Sequence, residues 1–147
     1  MARFKDPNVP AAAFAPYLEP GEQLRHIAFG VKQPNMLLIM PLFLLAVLPG
    51  AIAVALLTKE YVVGLTDRRF IVLRFKGKNV SVQEVLDYRL GGHPLPVKAS
   101  TGPVFTHIKI EDPAKPFVAK FHRMGMTGNR EGAMAIAAAL TVQPATT

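Results

Sequence analysis

From Met36 to Leu57 the chain runs for 22 residues, "MLLIMPLFLLAVLPGAIAVALL", without one charged side chain, and thirteen of them are Leu, Ile, Phe or Val. No other feature constrains the fold as strongly, because such a run must be shielded from water by lipid, by a core or by another subunit. As one continuous helix it would measure about 33 Å at roughly 1.5 Å per residue, close to the roughly 30 Å hydrocarbon core of a bilayer. Each aliphatic or phenyl side chain at the helix centre favours entry into lipid by roughly 0.3 to 0.6 kcal/mol. Pro49 removes a backbone donor and clashes with the preceding turn, at about 3 kcal/mol in a helix interior, and Gly50 beside it adds freedom.

The flanking segments bear on which arrangement is possible. Upstream, "EQLRHIAFGVK" alternates so that Arg25, Ile27, Phe29 and Val31 share one face of a strand. Downstream, "EYVVGLTDRRFIVLRFKGK" reads as a β-hairpin turning at Thr66 to Arg69, with Tyr61, Val63, Leu65, Phe70 and Val72 suited to a pleated surface. If both flanks belong to one sheet, they lie on one side of any membrane, which a single crossing forbids. A helical hairpin resolves this: Met36 to Leu48 descends, Pro49-Gly50 turns, and Ala51 to Leu57 returns. Three arrangements therefore stand: a re-entrant hairpin, a single span, and a segment buried in a core or between subunits.

The remaining chain is mainly β. Residues 1–20 carry four prolines and predict an extended arm with a short helical turn near Ala11 to Tyr17, of a kind that packs on a neighbour. "VSVQEVLDYRL" predicts a strand or short helix, Gly91-Gly92 with Pro94 and Pro96 break the chain, and "PVFTHIKIED" and "PFVAKFH" predict two more strands. The period then changes: Ala133, Ile136, Ala137 and Leu140 fall on one face of a helix, with Asn129 as N-cap and Glu131 favourable to the helix dipole. Strands first and one helix last predict an antiparallel sheet closed or plugged by a terminal helix. One domain over residues 21–141, an arm at 1–20 and a short tail at 142–147 account for the 147 residues.

The stretch "YVVGLTDRRFIVL", preceded by "GEQLRHIAFG" and followed by short strands and a C-terminal helix, resembles the bacterial pleckstrin-homology-like (PH-like) domains. The resemblance covers roughly Gly21 to Leu140, and Tyr61 to Leu73 is its specific part. It implies a bent, seven-stranded antiparallel sheet or barrel capped by one helix, and a non-enzymatic role in docking to membranes or protein partners, often with oligomerisation. The apolar run departs from the pattern, entering after the first strand as a helical insertion. Because that insertion separates Lys32 from Arg68 and Arg69, phosphoinositide specificity does not carry over.

Charge adds a direction. The formal net charge is +7, with four Lys and Arg before Met36 and thirteen after Leu57. Such a surface attracts anionic lipid or nucleic acid alike, and the apolar run tilts the choice to lipid, charge alone supporting nucleic acid. The bias places the C-terminal part on the cytoplasmic face of a membrane. No secretory signal stands in the first thirty-five residues, and with no cysteine there is neither disulfide nor thiolate chemistry.

The expected membrane or interface residues are Met36, Leu37, Leu38, Ile39, Leu42, Phe43, Leu44, Leu45, Leu48, Pro49, Gly50, Ile52, Val54, Leu56 and Leu57. Lys32, Lys59, Arg68, Arg69, Arg74, Lys76 and Lys78 are the expected contacts to anionic lipid. Arg123 and Arg130 in "HRMGMTGNREG" flank a helix start where an anion can sit. Asp67 is expected to stabilise its turn through its own backbone. His26, His93, His107 and His122 lack metal-ligand spacing, and no nucleophile, base or acid pair assembles, so neither catalysis nor a cofactor is expected. The expected function is a non-catalytic membrane-docking or assembly module bound to lipid, homo-oligomeric and open to a protein partner. The alternative is a soluble homo-oligomeric ring or filament with the apolar run buried between subunits.

Overall fold

A computed structural model describes residues 3–34, 36–77, 79–91 and 95–141, and within these every side chain except those of Met36 and Leu38. Lys78, His93 and the tail at 142–147 lie outside the described residues. Seven strands make the fold mainly β: β1 (Leu24–Lys32), β2 (Lys59–Thr66), β3 (Arg69–Lys76), β4 (Ser81–Arg89), β5 (Val97–Thr101), β6 (Phe105–Ile110) and β7 (Phe117–His122). They form one antiparallel sheet in the order β4-β3-β2-β1-β7-β6-β5, an open sheet with β4 and β5 at its edges. Two meanders meet where Val31 pairs with Lys120. Helices α1 (Asn8–Ala12), α2 (Met36–Leu45), α3 (Val47–Leu57) and α4 (Asn129–Thr141) and one 3-10 turn at Ala15–Tyr17 complete the described elements.

The alternate side chains of β2 and β3 enter two cores. Tyr61, Val63, Leu65, Phe70 and Val72 enter one core with Ile108, Phe117 and Phe121, and α4 inserts Ala133, Ile136, Ala137 and Leu140 into it. Val62, Ile71, Leu73 and Phe75 enter the other with Phe4, Phe14 and Phe29. Strands buried on both faces read as near-continuous apolar runs, which is the character of "YVVGL" and "RFIVLRF".

The N-terminal arm makes the second core possible. It packs on its own sheet. Phe14 is fully buried, and Gly64 permits it: a Cβ there would sit 2.9 Å from the Phe14 ring and 2.7 Å from Leu24 Cδ1. The arm's far end pairs Phe4 with Met126, while Thr127 donates its hydroxyl to the Lys5 carbonyl at 2.9 Å.

Asn129 departs from its expected N-cap role. β1 and β7 pair at Val31 and Lys120, and on the Phe29 and His122 side of that pair the Asn129 amide, fully buried, bridges the two strands. Its oxygen accepts the Phe29 N–H at 2.6 Å, and its nitrogen donates to the carbonyls of Phe29 at 2.9 Å and His122 at 2.7 Å. One side chain thus ties helix to both strands. Asn129→Ala leaves that donor and those acceptors buried without it and is expected to cost about 3 kcal/mol, measured by chemical denaturation. A loss below about 1 kcal/mol would mean that water replaces the amide.

Candidate functional site

The apolar run folds as α2 and α3, which pack against each other. The chain breaks at Ala46, whose backbone is extended (φ −167°, ψ 152°), and the Ala46 N–H closes the last turn of α2 on the Leu42 carbonyl at 3.1 Å. This moves the expected turn away from Pro49-Gly50. Pro49 lies in the first turn of α3, where its missing N–H leaves no helical bond unmade. Gly50 has a packing role instead: a Cβ there would lie 2.5 Å from Phe43 Cγ, so glycine lets the helices close on each other. No helix among the described residues is long and apolar enough to cross a membrane, so of the three arrangements the continuous 33 Å helix is absent.

Little of this apolar surface is covered. Ile39 and Gly50 are buried, whereas Leu44 is 82 %, Leu45 81 %, Leu56 78 % and Leu48 69 % exposed. Leu37, Leu42, Ile52 and Leu57 are exposed too, and Phe43 and Val54 are partly buried. Both legs return to the sheet side by side, because Lys32 at the end of β1 pairs with Lys59 at the start of β2. The Thr58 hydroxyl and N–H both bond the Val54 carbonyl, at 2.5 and 2.9 Å, finishing α3 one residue before β2.

Around this foot lie lysines. Glu60 pairs with Phe75, so Lys76 follows one step later and Lys32, Lys59 and Lys76 end three adjacent strands. A groove runs from Leu56 and Leu57 of α3 to Lys59, Arg74 and Lys76. Among the described residues no carboxylate forms an ion pair with Lys32, Lys59 or Lys76. The acids nearby are already engaged, Glu60 by Arg3 at 3.3 Å and Glu84 by Arg74 at 3.2 Å.

Arg68 and Arg69 stand elsewhere. They follow the last residue of β2, about 25 Å from Lys59 at roughly 3.3 Å per residue, so the basic cluster read along the chain is split between opposite ends of two strands. Arg68 pairs with Glu19 at 3.3 Å. Arg69 is buried and points inward, to Glu22 at 2.5 Å, Asp87 at 3.2 Å and the Tyr17 carbonyl at 2.8 Å. This removes Arg69 from the surface set. Thr66, with its hydroxyl accepting the N–H groups of Arg68 at 3.0 Å and Arg69 at 2.8 Å, organises the turn expected of Asp67. Asp67 instead accepts the Gln23 N–H at 3.0 Å.

Of the other candidates, Arg123, His26 and His107 are exposed, and the loop before α4 and Arg130 make contacts within the fold. The loop before α4 holds the arm through the Arg3 N–H on the Gly125 carbonyl at 2.7 Å, and Arg130 reaches the Gly102 carbonyl at 3.4 Å. His122 Nδ1 accepts the Met124 N–H at 3.0 Å. Among the described residues no group of three or more His, Asp or Glu could hold a metal. The sequence reading passed over Glu22, Asp87, Arg3 and Glu60; the only signal available was that each is an acid or base beside an apolar stretch.

The Arg69 guanidinium holds Glu22 at about 2, against a burial effect that raises it, and hydrogen bonds from Glu19 and Thr66 reinforce the lowering. For Asp87 burial pushes upward, but hydrogen bonding to Arg69 and the charge of Lys115 outweigh it and the net direction is down. A carboxylate depressed in the folded state stabilises above its unfolded value and loses that contribution as pH falls. Stability is therefore expected to decline from about pH 4.5 toward 2, and Glu22→Gln to flatten that decline in thermal unfolding across the range. Arg69→Ala, which strands a buried carboxylate, is expected to cost about 3 to 5 kcal/mol at neutral pH.

In comparisons with known proteins, no family model, no curated protein and no solved structure matches the chain.

Proposed function

We propose that this chain is a non-catalytic membrane-docking module of PH-like architecture, which inserts the α2–α3 hairpin into one leaflet of an anionic bilayer at its cytoplasmic face. The observation that carries the reading is the pairing of Lys32 with Lys59 directly beneath a hairpin whose leucines stand in solvent. Ten- and eleven-residue helices are about 15 and 17 Å long at roughly 1.5 Å per residue, half of the roughly 30 Å hydrocarbon core. Lys32, Lys59 and Lys76 would then lie at headgroup depth, each contributing about 1 kcal/mol near an anionic surface. Their aliphatic stems continue the apolar surface upward while the ammonium groups stay wet. Seven antiparallel strands followed by one helix support the PH-like assignment, as does the insertion's place after the first strand.

The hairpin tip favours a second reading. By helix geometry the last carbonyls of α2 and the first N–H groups of α3 lack partners within their helices, a burden in hydrocarbon that Pro49 reduces by one donor. Hairpins from several copies meeting in a soluble homo-oligomer would leave those groups near water and bury the leucines against each other.

Flotation with vesicles separates the two. Wild-type protein is expected to float with anionic vesicles and to resist high salt and alkaline carbonate. Replacing Lys32, Lys59 and Lys76 together by Gln is expected to weaken binding about 100-fold, from about 3 kcal/mol of lost surface attraction. Protein that stays unfloated as a large particle of fixed size would overturn insertion and establish the assembly reading.

A further inference from the structure

We infer that the hairpin makes the chain a sensor of membrane curvature, binding preferentially where the leaflet that receives it is convex; this rests on the insertion reading above. The reason lies in how the hairpin is held. α3 is joined to β2 by Thr58 alone, and α2 to β1 by three residues, while β1 and β2 are themselves a hydrogen-bonded pair. Phe43 against Gly50 locks one leg to the other. With both feet fixed on neighbouring strands, the two legs enter a leaflet together from one end of the β1–β2 ladder.

Its depth then matters. Legs of about 15 to 17 Å fill one leaflet and end near the bilayer centre. Two helices side by side, each about 10 Å across, add on the order of 200 Å² to that leaflet and nothing to the opposite one. A flat bilayer resists this mismatch in area. A bilayer already curved toward the protein has an expanded, loosely packed outer leaflet that accepts the added area.

The surface chemistry fits a wedge. Apolar side chains are exposed on both helices, from Leu37 and Leu56 near the foot to Leu44, Leu45 and Leu48 near the tip, so no polar face keeps either helix at the interface. The lysines at the foot bind anionic headgroups whatever the curvature; the size preference therefore belongs to the hairpin.

The test compares wild-type protein on small sonicated and large extruded vesicles of one composition, phosphatidylcholine with phosphatidylserine, at equal accessible lipid. Binding several-fold stronger to the small vesicles is expected. Equal binding to both overturns curvature sensing and leaves insertion standing, whereas binding to neither overturns both. Leu44→Asp with Leu48→Asp, at exposed positions away from the core, is expected to keep the fold by circular dichroism and to lose the size preference, leaving weak, salt-sensitive binding. A size preference that survives this change would place its origin in the lysines and overturn the inference.

Discussion

The ladder between β1 and β2 is the constraint on which the rest depends. Its pairs run from Leu24 with Thr66 to Lys32 with Lys59, and the whole apolar segment hangs between the last two partners. Closing so long a loop costs little more than closing a short one, since the entropy grows only with the logarithm of length. What the ladder does impose is geometry. It brings the two ends of the insertion to adjacent strands, which rules out separation of the flanks by a bilayer and makes a two-legged hairpin the form the segment takes.

A ladder that carries an exposed apolar hairpin has to be stable, and β1, β2 and β3 are stabilised from both faces. α4 closes one face with a stripe of Ala, Ile and Leu, and the arm closes the other with Phe4 and Phe14. The arm is held in turn by polar contacts at both ends. Glu22, just past the arm, bonds Arg69 and the Thr66 hydroxyl at the turn of β2 and β3, and Arg3 reaches Glu60 and the Gly77 carbonyl at the opposite end. A buried ion pair such as Glu22 with Arg69 contributes little net stability over apolar packing but is costly to break singly, so it favours one register of arm on sheet over its alternatives.

The parts of this architecture set by local pattern were legible in the sequence. Two-residue alternation marked β1 and β6, β-branched and aromatic content marked β2 and β3, and spacing of three and four marked α4, because each pattern is written in the residues that form it. The rest depended on partners distant in the chain. Asn129 reads as a cap until its amide is seen to bridge β1 and β7, and Arg69 reads as a surface charge until Glu22, forty-seven residues earlier, closes on it. Pro49-Gly50 reads as a turn because those residues usually make one. Here the proline fits a helix start and the glycine fits a neighbouring phenyl ring, and Ala46, with no signature of its own, takes the break. Within the candidate site the apolar run was evident, whereas the separation of Arg68 and Arg69 from Lys76 required the strand lengths.

Around the arm and the β2–β3 hairpin, arginines carry the ion pairs. Arg3, Arg68, Arg69, Arg74 and Arg89 each engage a carboxylate within the fold, Arg89 sharing Glu19 with Arg68. The planar fork of guanidinium suits such fixed, partly desolvated pairs, whereas a lysine ammonium is strongly hydrated and sits on a flexible stem. At the foot of the hairpin the three strand ends carry lysine, and among the described residues none of the three has a carboxylate partner. The arginines that hold the arm and the turn of β2 and β3 are thus neutralised by the fold, while the three lysines where the apolar hairpin begins are not. An unpaired cationic rim around an uncovered apolar projection is stable in water only at a cost, and an anionic interface with hydrocarbon beneath it relieves both halves of that cost at once.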